Sequence, residues 1–256
     1  MILENALRSP DQVKPFYLDP PKFEFSDKRY LVRFAQTDEE IDQVLKLRYD
    51  VFNLEMGEGL DSSVLTQRDR DEFDEVCHHL IVIDQITSEI VGTYRMQTQE
   101  IATKGFYSSA EFKIDMMKEK ILRRAVEVGR ACIRQDHRKK GLLFMMWKGL
   151  AKYMVYMHKR YLFGCCSIQS QDPTEAKLIM DYLEKNNYIH PKVYVEPQEA
   201  FRCYDEKFKV KGKFEIKLPK LFKSYLDYDA MVCGPPAIDK EFKTIDYFVL
   251  LDIKRI

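Results

Sequence analysis

The stretch A-V-E-V-G-R-A-C-I, Ala125 to Ile133, runs straight into R-Q-D-H-R-K-K-G, Arg134 to Gly141. Small and apolar residues alternate through the first part as in a half-buried strand, yet the strand carries Glu127 and Arg130. A carboxylate and a guanidinium in such a setting each cost several kcal/mol unless they are paired or used, so the pair asks for partner charges or a chemical role. Residues three apart face opposite ways in a regular strand. For Glu127 and Arg130 to share a site the strand must bulge, and Gly129 between them is the expected place. The turn that follows, with Arg134, Arg138, Lys139, Lys140 and Gly141 before an apolar helix, suits a phosphate held at a helix N-terminus. A strand acid beside an anion cradle points to group transfer from a phosphate-bearing carrier.

Working outward, strands and helices alternate. Arg29 to Ala35 reads as a strand, and Thr37 opens a helix with capping-box spacing to Glu40. Ile41, Val44, Leu45, Val51 and Phe52 fall on one stripe of that helix, and Arg48 falls on it too. Arg48 therefore either points into a cleft or snorkels past the stripe to solvent. Residues 56–77 form a long acidic connection with Asp69, Asp71 and Asp74, and a loop of this length is expected to be a lid or binding loop. A hairpin of His79 to Asp84 and Ile90 to Thr98 brings Arg95 into a second strand. A helical piece over 114–124, a methionine-rich helix from Leu142 to Met157 and a strand from Tyr161 to Ile168 complete a right-handed parallel crossover through the opening stretch. A helix from Pro173, another from Pro219 and a last strand from Tyr247 to Ile253 finish an α/β fold on a central mixed sheet.

The 256 residues hold 41 basic and 41 acidic side chains, so any anionic partner must be met by a local patch, and nucleic acid is not expected. Six cysteines without paired C-x-x-C spacing fit a reducing, cytoplasmic compartment. Residues 1–27 carry charges and prolines where a signal peptide needs an apolar core, and no run reaches membrane-spanning length, so membrane contact would be peripheral, on the inner face. Cys77-His78-His79 has no second ligand cluster at metal spacing and reads as packing, so no metal is expected. Cys165-Cys166 reads as two small core residues, and no G-x-S-x-G elbow is present.

Four motifs in order, Leu47-Arg48-Tyr49-Asp50-Val51-Phe52, Arg70-Asp71-Glu72-Phe73-Asp74, Gly92-Thr93-Tyr94-Arg95 and Glu127-Val128-Gly129-Arg130, resemble the acyl-carrier-protein-dependent N-acyltransferases of GNAT-like fold. The tail Leu218 to Leu226, followed by Cys233-Gly234-Pro235-Pro236-Ala237-Ile238-Asp239 and Phe242-Lys243-Thr244-Ile245-Asp246, looks like the ornithine-lipid-synthase branch more than its cousins, the acyl-homoserine-lactone and N-acyl amino acid synthases. The resemblance covers roughly Arg29 to Ile253, within a domain taken as residues 28–256 after an arm of 1–27. It implies transfer of a long-chain acyl group, with or without a 3-hydroxyl, from acyl carrier protein to the α-amine of an amino acid, ornithine first. Glycine, another amino acid or a polyamine as acceptor, acyl-CoA as donor, and a non-catalytic acyl-carrier or lipid-binding module stay open. Glu127 is the implied base, with Arg48, Phe52, Asp71, Asp74, Arg95 and Arg130 around the acceptor or as a buried network clamping the loop. No tightly bound cofactor is implied; the acyl-phosphopantetheine of the carrier is the co-substrate. The turn has only Gly141 where acetyl-CoA enzymes carry a second glycine, which suits one phosphate, and its cations could meet an acidic carrier or simply be solvated. A long acyl chain also needs an apolar channel, expected near Phe163 and Trp147.

Overall fold

The computed structural model describes residues 19–138, 140–205, 207–210 and 216–254. Nine strands form one mixed sheet: β1 (Phe25–Ser26), β2 (Tyr30–Phe34), β3 (His78–Asp84), β4 (Glu89–Thr98), β5 (Ala125–Ile133), β6 (Tyr161–Ile168), β7 (Met231–Val232), β8 (Ala237–Asp239) and β9 (Thr244–Asp252). They run in the order β1-β2-β3-β4-β5-β6-β9-β7, with β8 also paired to β9. Around them lie α1 (Asp38–Tyr49), α2 (Ser63–Thr66), α3 (Glu119–Leu122), α4 (Lys140–Tyr156), α5 (Pro173–Lys185) and α6 (Lys220–Asp227). Among the described residues no helix is long and apolar enough to cross a membrane. Of the expected arm, only 19–27 fall within the described residues, and they contribute β1 at the sheet edge.

The two-residue period of each strand divides the core. Leu80 and Val82 pack with Met145, Met146 and Leu150 of α4, while Ile81 between them packs with Val44 and Leu47 of α1. The same alternation in β5 sends Val126 and Val128 to the α4 face and Glu127 to the other. The methionines of α4 are core filling, as their spacing suggested. The helical piece expected over 114–124 divides into a 3-10 turn, Ile114–Met116, and α3.

Two irregularities position everything that follows. The β4–β5 register shifts so that Arg130 and Ala131 together oppose Tyr94, a bulge one residue beyond the expected Gly129. Arg130, not the glycine, takes the left-handed backbone, with φ of 49°. The second is the β5–β6 junction, the one parallel pairing between named strands among the described residues, which runs only from Ala125↔Tyr161 to Glu127↔Phe163. Beyond it the strands part, leaving the β6-facing edge of residues 128–131 without a ladder partner. At the crotch Gly164 backs onto Val128, and a β-carbon there would drive into the Val128 carbonyl oxygen. Gly164→Ala should therefore force the two strands apart and cost about 1–3 kcal/mol. A melting temperature equal to that of the parent would contradict this account of the crotch.

Candidate active site

Three arginines and three aspartates meet on the α1 side of the sheet. Arg48, delivered by α1 and 0% exposed, donates to Asp74 at 2.5 Å and Asp69 at 2.6 Å. Arg95 of β4 donates to Asp71 at 2.5 Å and Asp74 at 2.9 Å. Arg130 reaches Asp71 at 3.2 Å and lies 3.5 Å from Asp69. The loop holds its acids rigidly, because Asp71 caps the 3-10 turn Glu72–Glu75 and Asp74 returns a bond to the Asp71 N–H. Burial alone would push Asp69 and Asp74 up, but the Arg48 guanidinium and its neighbours hold both below the usual carboxylate range. Arg48 thus points inward and does not snorkel.

Aromatic rings finish the assembly. The Arg130 guanidinium lies between Tyr107, 4.6 Å away, and Phe242, 4.4 Å away, and Arg95 lies 5.0 Å from the Tyr107 ring. The backbone beside Tyr107 holds Glu127, whose carboxylate accepts from the Tyr107 N–H at 2.8 Å, the Ser108 N–H at 2.7 Å and the Ser108 hydroxyl. Burial still pushes Glu127 above the usual carboxylate range, against the opposing pull of these donors. Through the bulge, Glu127 and Arg130 do share one side of the sheet.

A cavity of about 430 Å³ opens here and passes through the parting of β5 and β6. On the α1 side its wall includes Phe52, Arg95, Glu127 and Arg130. On the α4 side it is apolar, with Leu162, Leu221, Phe222, Tyr225, Val249 and Leu251. Arg48, Asp71 and Asp74 stand behind the wall and brace it. Of the two residues expected near an acyl channel, Phe163 lines the cavity on its Glu127 side and not in the apolar lobe, and Trp147 packs behind the wall, its ring 5.4 Å from that of Tyr225.

The basic turn lies outside the cavity. Arg134 donates to Glu89 at 3.0 Å and Asp136 at 2.9 Å, and Arg138 to Glu55 at 2.7 Å. A β-carbon at Gly141 would meet nothing within 4 Å, so a ligand has room to approach the backbone there. Lys139 and the Lys140 side chain lie outside the described residues.

Several wall residues escaped the sequence reading. Gln97, opposite Glu127 across the β4–β5 ladder, is 1% exposed, and neither amide atom has a partner among the described residues. Glu58, Asp239 and Asp246 make a second, acidic end. Cys77 also lines the wall, but burial pushes its thiol up to about 12, unsuited to a nucleophile. His78 bonds the Tyr153 hydroxyl at 2.9 Å and His79 the Asp74 carbonyl at 3.1 Å, so this trio packs as expected.

The L-ornithine N(alpha)-acyltransferase of Rhizobium meliloti (strain 1021) is 32% identical over 238 residues, covering 88% of this chain and 80% of that protein. The chain belongs to the L-ornithine Nα-acyltransferase family. A second member, from Brucella abortus (strain 2308), is 32% identical over 247 residues, with 88% and 85% covered. Residues 47–148 match the acetyltransferase (GNAT) domain model. FeeM, an N-acyl amino acid synthase from uncultured soil microbes, shares the fold, with a TM-score of 0.52 at 11% identity over 88% of this chain and 93% of that one. The L-ornithine Nα-acyltransferase family consists of N-acyltransferases, so this chain is an enzyme of that class and the family resemblance carried by its four motifs is borne out.

Two expectations follow for this family member. Arg48→Met would leave Asp69 and Asp74 with an uncompensated buried charge, and thermal unfolding should show a loss of about 3–5 kcal/mol; a neutral outcome would mean the network does not brace the loop. Burial and the charge of Asp246 push Glu58 up to about 7. A raised folded-state pKa means that stability is lost as pH rises from the unfolded value, about 4.3, through 7. Glu58→Gln should therefore match the parent near pH 4 and melt higher than it at pH 8; equal melting curves at both pH values would show that Glu58 is solvated.

Proposed function

We propose that the enzyme transfers a long-chain fatty acyl group from acyl carrier protein to the α-amine of L-ornithine. The observation that carries this reading is the cavity crossing the sheet, with Glu127 and the arginines on one side and an apolar lobe on the other. The acceptor printed in the names of both relatives, L-ornithine, is an amino acid with the charges this polar side would meet.

The open β6-facing edge of residues 128–131 would pair with the amide-bearing pantetheine arm, as an added strand pairs with an exposed edge. The acyl chain would then enter the lobe of Leu162, Phe222 and Leu251. The phosphate would sit at the N-terminus of α4, and Arg134 and Arg138 would meet the acidic carrier, exchanging surface ion pairs of about 0–1 kcal/mol each.

On the other side, Arg95 and Arg130 would orient the acceptor carboxylate, and Gln97 would place its unpartnered amide against the reacting groups. An α-ammonium has a pKa of roughly 8 and must lose a proton before it attacks. Glu127 would accept that proton, directly or through a water, at Oε2, which takes one hydrogen bond where Oε1 takes two. Burial raises Glu127 towards the basicity the step needs. The amine nitrogen then adds to the thioester carbonyl, the C–S bond breaks, an amide forms, and the pantetheine thiolate leaves and takes up a proton.

The purified protein, offered acyl carrier protein and CoA thioesters of one long-chain acid together with L-ornithine, should give N-acylornithine by mass spectrometry, faster from the carrier thioester. Glu127→Gln should lower kcat by about 10²- to 10⁴-fold with little change in KM. Full turnover in that variant would remove Glu127 as the base, and preference for the CoA thioester would remove the carrier protein as donor.

A further inference from the structure

The cavity has a second charged end that the acyl transfer just described does not use. Asp246, near the start of β9, is 4% exposed; its Oδ2 takes the Thr244 hydroxyl at 3.3 Å, and its Oδ1 has no partner among the described residues. Glu111 is 3% exposed, and its Oε2 is likewise unpartnered. One carboxylate oxygen from each of Glu111, Asp239 and Asp246 lies within 4.8 Å of the others. Asp239 is the satisfied member, accepting from the Glu241 and Phe242 N–H groups at 2.8 Å.

Glu58 is aimed into the same space by a built device. The π-helical turn Asp50–Glu55 continues α1, and the Glu58 N–H returns to the Phe52 carbonyl at 2.9 Å. On either side of Glu58, Gly57 and Gly59 take φ of 68° and 84°, which a side chain would resist. The outcome is a carboxylate on the cavity wall with no hydrogen bond to it among the described residues. Around Arg48, Arg95 and Arg130 every aspartate is ion-paired; at this end Glu58, Glu111 and Asp246 have no ion pair among the described residues.

We propose that Asp246 and Glu58, with Glu111 behind Asp246, form a subsite that binds the side-chain ammonium of the acceptor and selects basic amino acids over neutral ones. This rests on the acyl-transfer reading above and adds the residues that choose the acceptor. Asp246 projects from the face of the sheet that carries Glu127, since β9 alternates and Phe248, two residues on, packs with Phe163 and Phe112 on that face. An acceptor with its α-amine and carboxylate at Glu127, Arg95 and Arg130 would extend its side chain along this wall. A terminal ammonium brings three N–H donors and one positive charge, which answers the carboxyl groups of Asp246 and Glu58 on the cavity wall. Burial, the charge of Asp246 and a hydrogen bond to it favour a proton on Glu111, which Glu111 donates to Asp246. A neutral side chain would leave Asp246 and Glu58 buried without an ion-pair partner, which is the strong form of discrimination available to a binding site.

L-Norvaline has the carbon skeleton of L-ornithine without the terminal amine. Equal amounts of both, offered with the carrier thioester, should give mainly N-acylornithine from the parent, by about 10²-fold or more. Asp246→Asn and Glu58→Gln should each lower that product ratio by about tenfold or more, and the double variant further. Glu58, on a turn, gives a reading even if Asp246→Asn does not fold. An unchanged ratio in the variants would overturn the subsite. So would a parent that acylates both amino acids equally, although amino-acid acylation itself would then stand. Absence of any acylated amino acid would defeat the underlying reading together with the subsite. Activity abolished by EDTA and restored by Mg²⁺ or Mn²⁺ would assign the acids to a metal and overturn the proposal.

Discussion

The buried network of Arg48, Asp69, Asp71, Asp74, Arg95 and Arg130 is the constraint on which the rest of the structure depends. Three cations against three anions leave no net charge to bury, and each aspartate meets at least one guanidinium. Such a network is not a strong source of stability, because desolvation offsets much of the Coulomb attraction. What it supplies is a single geometry. It ties α1, the acidic loop and the two central strands to one another, and it holds Arg130 in a left-handed backbone that would otherwise cost about 1–2 kcal/mol. The bulge and the shared side of Glu127 and Arg130 both follow from that restraint.

The carboxylates of the protein fall into two populations according to whether a guanidinium answers them. Asp69 and Asp74 sit against arginines and are held ionised well below neutral pH. Glu127, Glu111, Asp246 and Glu58 are buried with hydrogen-bond donors, other acids or nothing, and burial pushes each of them up. Permanently ionised groups can only brace or orient. Raised groups can exchange a proton or take up a cation, and Glu127, Asp246 and Glu58 lie on the cavity wall, where substrate could reach them. The partition between scaffold and chemistry is therefore made by where the arginines are placed.

Much of this was legible in the sequence for a simple reason: charged residues on apolar stripes stand out. Arg48, Arg95, Glu127 and Arg130 each broke a hydrophobic pattern, and the strand and helix periods around them were long enough to read, with β6 found at the observed limits and α5 at its observed start. Glu58 and Glu111 broke no pattern that could be recognised, and Asp246 closed the family's tail motif without a site role. Glu58 lies in an irregular loop, Glu111 precedes a short 3-10 turn, and Asp246 is the third residue of a strand read as starting at Tyr247. Their meeting depends on contacts across more than 100 residues of chain, which no local period encodes. Gln97 was missed differently, because an amide in a strand is unremarked until its lack of partners is seen. The bulge was placed at Gly129 on propensity, but the ion pairs of Arg130 outweigh propensity and move the left-handed residue one position on.

The location of the cavity has a topological cause. Every other junction in the sheet is antiparallel, and hairpin or return connections let those ladders run the length of their strands. The β5–β6 junction is parallel and its crossover helix, α4, leaves from the end of β5 where the strands have already parted. Pairing with β6 stops after Glu127↔Phe163, so the last residue of β5 paired across this junction is the acid itself. The opening begins at the carboxylate and widens towards the N-terminus of α4, where an anion is favoured. A thioester lying in that gap would have its carbonyl near Glu127, its apolar tail on the α4 side and its phosphate at the helix. On the proposed reading the sheet would separate donor from acceptor, and the gap the acid borders would be where they meet.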